Sequence, residues 1–165
     1  MSEKEQRATE TVKKHMWMSA GAGLIPIPWV DLTSIAGVQL KMLAALSKIY
    51  EVPFHKNLGK SAIASLVSFV LPHAIAFGTV GSIIKLVPFV GTLPGSVWQS
   101  AFAGAYTWAL GNVFIQHFES GGTFLDFNAE KVKEHFQAQF KEGQKMAASM
   151  GQAEQKTESA QPKAD

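Results

Sequence analysis

The residues able to do acid–base or metal chemistry are few and scattered. His15, His55, His73, His117 and His135 fall in no spacing that sets two ligands on one helix face. The chain has no cysteine, which excludes a thiolate nucleophile, a disulfide and a Cys-ligated metal. Asp31 is the acid deepest in apolar sequence, since the run from His15 to Val30 holds no Asp, Glu, Lys or Arg. Standing before an apolar helical run, Asp31 reads first as a helix cap, its carboxylate accepting from amides that a first turn leaves unpaired. A proton or ion site there would need Gln39 or His73 to converge on it, and nothing in their spacing brings them together. His73, beside Pro72, is placed to bond a carbonyl that the proline frees. Gly21-Ala22-Gly23 and Gly91-Thr92-Leu93-Pro94-Gly95 match neither a P-loop nor a dinucleotide fingerprint. With no nucleophile, acid–base pair or phosphate cradle, the expectation is a protein that is not an enzyme and uses no cofactor.

Charge is distributed unevenly. From His15 to Phe118, 104 residues, the formally charged side chains are Asp31, Lys41, Lys48, Glu51, Lys56, Lys60 and Lys85. Soluble domains carry roughly 25% charged residues, so an outer surface cannot be built from this section in the ordinary way, and membrane association is the natural reading. The net charge of +2 is too weak and too dispersed for a nucleic-acid footprint.

The elements that would position these residues are helical. Residues 1–10 are polar and read as a flexible N-terminus. A first helix runs from near Thr11 to about Leu24 and meets the corner Ile25-Pro26-Ile27-Pro28, which must stop it, because proline lacks an amide donor and clashes with the preceding turn. A second helix runs from Leu32 to about Tyr50, with Lys41 and Lys48 on its polar face. Val52-Pro53 breaks it, and Lys56 and Lys60 keep the connection at an aqueous surface. Lys41, Lys48, Lys56 and Lys60 then suit anionic lipid headgroups. Ser61 to Ile84 is free of formal charge over a length that would cross a hydrocarbon core, and Ala74, Gly78 and Ser82 give it a small-residue face. The corner from Pro88 to Pro94 leads into a fourth helix, Ser96 to Phe118, where Ala101, Gly104, Ala105 and Gly111 permit close approach. Residues 128–142 form an amphipathic helix with Ala129, Val132, Phe136 and Phe140 on one stripe, free to pack on the body, a membrane or a partner. The expected architecture is all-α: four main helices in two membrane-associated hairpins with proline corners (residues 11–122), an amphipathic C-terminal helix (123–146) and a disordered tail (147–165).

Ile25-Pro26-Ile27-Pro28-Trp29-Val30-Asp31-Leu32, Gln39-Leu40-Lys41-Met42-Leu43 and Tyr50 resemble the start of family 697 among the domains of unknown function. Val87-Pro88-Phe89-Val90-Gly91-Thr92, Gly104-Ala105-Tyr106-Thr107, Gly111 and Phe118-Glu119-Ser120-Gly121-Gly122 continue the likeness, which covers about residues 12–122. The resemblance implies a bacterial, membrane-associated protein often encoded beside or fused to small or dynamin-like GTPases, and it carries over no catalytic residues. The 165 residues here include no GTPase domain, so a GTPase would be a separate partner. The expectation is a non-enzymatic protein of the bacterial cytoplasmic membrane, termini in the cytoplasm, whose partners are lipid, further copies of itself in a homo-oligomer, and a GTPase. Scaffolding or shaping membrane is the expected role. A channel or transporter component is the alternative, and a soluble or peripheral helical interaction domain the second.

Overall fold

The computed structural model describes residues 2–22, 30–76 and 95–158, with side chains over 2–21, 35–70 and 100–147. All the regular structure in these residues is α-helical: α1 (Glu3–Ala22), α2 (Val30–Ile49), α3 (Lys56–Ala76), α4 (Gly95–Glu119) and α5 (Ala129–Glu158). Pro26, Pro28, Gly78, Ser82, Lys85, Pro88 and Pro94 lie outside the described residues. Asp31, His73 and Ala74 fall within helices, with side chains outside the described ones.

Local chemistry sets most helix ends. α1 starts well before Thr11 because Ser2 and Glu5 form a capping box. The Glu5 amide donates to Ser2 Oγ (3.1 Å) and the Ser2 amide to Glu5 Oε2 (3.2 Å). α2 ends in a Schellman-like turn in which Glu51 adopts φ 60° and the Val52 amide donates to the Ser47 carbonyl at 2.8 Å. α4 ends with Gly121 at φ 81° and the Gly122 amide bonded to the His117 carbonyl at 2.9 Å, a reversal that suits glycine because it has no Cβ. Asn128 then caps α5, accepting from the Lys131 amide. α5 remains helical to Glu158, where composition alone predicts disorder from residue 147.

The core is organised around α4. Residues 103–111 and 113–115 are all buried, and so is Phe118. α1 runs antiparallel to α4, α2 runs parallel to it, α3 touches it lightly, and α5 packs along its remaining side. The pairing along the chain is therefore uneven: α4 packs mainly on α1 and α5 rather than on its sequence neighbour α3. An uncharged helix needs apolar surroundings on every face, and here α1, α2 and α5 supply most of them. α3 is different. It buries Ala62, Leu66 and Val70 and leaves Lys60, Ser61, Ala64, Ser65 and Ser68 exposed. The α5 stripe meets the body: Phe136 packs edge-on against Tyr106 (5.5 Å between centroids) and Phe140 against Phe102 (5.4 Å). Among the described residues no helix is long and apolar enough to cross a membrane. The uncharged run 61–84 leaves the described residues after Ala76, so its spanning length lies outside them.

Candidate functional site

The small residues on α4 lie against other helices of the same chain. A Cβ at Gly104 would lie 3.4 Å from Ala20 Cβ of α1, and one at Gly111 would run into the Val12 side chain. Ala105 faces α5, where a Cβ at Gly143 would come within 2.8 Å of its Cα. Ala101 is half-buried beside them. A bulky residue at Gly104 would therefore disturb the α1–α4 contact first, whatever it did to assembly between copies. Ala74, Gly78 and Ser82 cannot be placed against any neighbour among the described side chains.

Polar groups inside this core are joined to one another. Thr107 Oγ1 donates to Ser19 Oγ at 2.9 Å, and Gln39 Nε2 approaches Thr107 Oγ1 at 3.5 Å, so α1, α4 and α2 share a buried polar chain at one height. Ser19, Gln39 and Thr107 are each at most 3% exposed. Toward the proline end Ser100 Oγ donates to the Ala20 carbonyl, and beside Thr107 the Tyr106 hydroxyl donates to the Ile63 carbonyl of α3 at 2.6 Å. These bonds answer the cost of burying hydroxyls, about 1–3 kcal/mol each when unpaired. Gln39 is thus engaged with Thr107. Trp108 Nε1 is buried with no hydrogen-bond partner among the described residues.

The opposite end of the bundle is aromatic and charged. Phe114 stacks on Phe127 (4.6 Å between centroids) and packs against Phe118 and Phe124. His117 Nε2 donates to the Thr123 carbonyl at 2.8 Å and lies 3.8 Å from Asp126 Oδ1. Gly122 sits so close to the His117 ring that a Cβ would clash with it. Asp126 Oδ1 also accepts from the Thr123 hydroxyl and amide, and these bonds hold its carboxyl below the usual carboxylate range. Tyr50 Oη donates to Glu119 at 3.0 Å. Burial first, then this carboxylate, pushes the phenol far above its ordinary value. Lys4 pairs with Glu51 at 3.2 Å on the same end. His15 and His117 both bond backbone carbonyls, an ordinary structural role.

The helix ends that flank both proline corners, Ala22 with Val30 and Ala76 with Gly95, lie at the other end of α1–α4. The side-chain pairs show this ordering: Lys4 with Glu51, Val12 beside Gly111, Ser19 with Thr107 and Gln39, Ala20 with Ser100. Toward that end Trp17 is 54% exposed and Met18 44%, side chains large enough to need a covering surface. Lys41, Lys48, Lys56 and Lys60 are all exposed but do not share a level. Lys41 lies two residues from Gln39 and Lys60 three from Ile63, both near the polar chain. Lys48 and Lys56 sit further toward the charged end. Lys14, exposed on α1, belongs with the upper pair. Composition did not single it out, although it is the last formal charge before the run that begins at His15.

No solved structure matches this chain. A curated relative, magnetosome membrane protein 22 of Magnetospirillum gryphiswaldense, is 33% identical over 141 residues, covering 86% of this chain and 72% of the relative. The profile of the domain of unknown function DUF697 matches residues 1–145, and the chain belongs to that family.

Proposed function

We propose that the chain is a non-enzymatic, membrane-associated helical protein that enters a bilayer with the end bearing its two proline corners. The carrying observation is polarity along the bundle. Along α1–α4, both connections rich in proline and free of acids join helix ends on one side, and the ion pairs, the Asp126 turn and the aromatic cluster occupy the other; α5 runs beside the proline end with Lys141, Glu142 and Lys145 exposed, and would keep that flank in water. The relative's description as a magnetosome membrane protein supports the same setting. On this reading the charged end and the N-terminus face the cytoplasm, and α5 runs along the aqueous flank toward the proline end. Homo-oligomerisation would use the outward side of α3, because α1 and α5 already cover Gly104, Ala105 and Gly111. Scaffolding of a membrane for a separate GTPase follows from the family resemblance and is part of this proposal.

The test is extraction. The full chain produced in a bacterial host should sediment with membranes and resist an alkaline carbonate wash. Quantitative release into a soluble form stable without detergent would overturn the reading in favour of a self-contained helical interaction domain. This outcome has a physical basis, since α4 already finds its apolar surroundings within the chain.

A further inference from the structure

α1 and α5 cover opposite sides of α4. Gly104, Thr107 and Gly111 meet α1, whereas Phe102, Ala105 and Tyr106 meet α5, and helical periodicity sets these two stripes about half a turn apart. The two covering helices are also level with each other here, since Gly104 abuts Met16 and Ala20 of α1 while its neighbour Ala105 abuts Gly143 of α5. Their outer faces differ at this shared height. Around Gly143, α5 turns Lys141, Glu142 and Lys145 into solvent. Around Met16, α1 exposes Trp17 and Met18, and the indole is 54% accessible. Val12, Met16 and Ser19 are buried, so the exposed residues of α1 lie on the side turned away from α4. Along that side the chemistry changes in steps. Glu3, Arg7 and Glu10 mix both signs, Lys13 and Lys14 are positive, and Trp17, Met18 and Gly21 carry no charge. Lys13 with Trp17, and Lys14 with Met18, are pairs four residues apart, which stacks each ammonium about 6 Å below a large apolar side chain. Neither lysine makes an ion pair among the described residues. The surface that covers this face must therefore be anionic at one depth and apolar one helical turn further in. A phospholipid layer has that order: tryptophan settles at headgroup depth, and lysine stems reach back to phosphate.

Building on the membrane reading above, we infer that the bilayer meets the molecule on its α1 flank and not its α5 flank, with Lys13 and Lys14 on anionic phospholipid headgroups and Trp17 and Met18 at the boundary with the acyl chains. Because the chain has no native cysteine, Met18→Cys and Glu142→Cys can each carry a nitrobenzoxadiazole label, which brightens when it leaves water. The full chain, diluted from detergent, is floated with vesicles of phosphatidylcholine alone or with a third phosphatidylglycerol. On vesicles the Met18→Cys label should brighten severalfold, and the Glu142→Cys label should stay as it is in buffer. Replacing Lys13 and Lys14 together by Gln should weaken binding to the anionic vesicles by about fivefold per lysine, or about twenty-five-fold in all, and leave binding to neutral vesicles unchanged. The same charge removed at Lys141 and Lys145, on the opposite flank, should change binding less than about threefold. Equal helicity by circular dichroism checks that the exposed substitutions leave the fold intact. A Met18→Cys label that stays dark on floated protein, or a Glu142→Cys label that brightens, overturns the orientation. Brightening of the Met18→Cys label without vesicles, growing with protein concentration, places a second copy over Trp17 and overturns the lipid contact. Equal loss from the two lysine pairs overturns the headgroup contact. Failure of the unsubstituted chain to float with either vesicle overturns the membrane reading itself.

Discussion

Helices α3 and α4 read alike in the sequence: both are long, apolar and free of formal charge over many turns, and both suit a bilayer. In the folded chain they are unlike. α4 is enclosed, with α1 and α5 packed against it so closely that Gly111 and Gly143 have no room for a methyl group. α3 lies at the periphery and presents a face of Lys60, Ser61, Ala64, Ser65 and Ser68. Ser65 and Ser68 donate to the carbonyls of Ser61 and Ser65, so those hydroxyls ask little of their surroundings. Absence of charge therefore has two physical meanings in one molecule. In α4 it marks the centre of a protein core, and in α3 it marks a surface that tolerates an apolar neighbour.

The sharpest break of this comparison is a charge placed on each helix. Ala109→Lys should cost about 5 kcal/mol or more, because Ala109 is fully buried in the hydrophobic core, and should abolish cooperative melting. Ser68→Lys should change stability by no more than about 0.5 kcal/mol in detergent while lowering flotation with vesicles. If both variants unfold alike, α3 is as enclosed as α4. Next comes bulk. Gly143→Leu should cost about 3 kcal/mol, since the atoms it meets include the Ala105 backbone, which cannot swing aside, whereas Ala64→Leu on α3 should be near neutral in thermal melts. Thr107→Val removes the middle of the buried polar chain and leaves Ser19 without its donor. A loss of about 1–3 kcal/mol is expected in denaturant titration, with no counterpart for Ser65→Ala.

The smallest effect is a pH dependence at the charged end, in the turn that follows α4. Asp126 has a lowered pKa in the folded chain, so the unfolded chain binds its proton more readily. Its contribution is complete above the ordinary carboxylate value and is lost as pH falls from there through the folded value. Burial lowers the His135 pKa, which adds a loss in the same direction beginning near the ordinary histidine value. Melting temperatures of wild type and Asp126→Asn should therefore converge in acid. A constant gap between them would mean that the Thr123–Asp126 bonds contribute nothing.

Much of the helical layout was legible because periodicity and breakers are local properties. The α2 and α4 bounds, Asn128 as a cap and the Phe136–Phe140 stripe follow from neighbouring residues alone. The early start of α1 was also legible in principle, as Ser2 followed three residues later by Glu5, but a mixed-charge stretch masked it. What periodicity could not supply is which uncharged helix the others surround. That depends on long-range contacts such as Val12 with Gly111 and Ala105 with Gly143, and glycine spacing has the same appearance whether the approaching helix belongs to the same chain or to another. The four lysines from 41 to 60 formed one group in sequence because they are close along the chain. The fold divides them by height, and Lys14 joins the upper ones across a gap of many residues.

The buried chain of Ser19, Thr107 and Gln39 has a consequence for register. Apolar helices packed by small residues can slide past one another at modest cost, because one Leu or Ala contact replaces another. A slip of one turn by α1, α2 or α4 would leave hydroxyls and an amide facing hydrocarbon. Hydrogen bonding thus makes one sliding position preferred among several that packing alone would accept. Lys14 and Lys41 ride on helices pinned by this contact, and Lys60 rides on α3, which the Tyr106–Ile63 bond ties to the same height. Three interior polar side chains thereby fix the relative height of exposed lysines on three different helices.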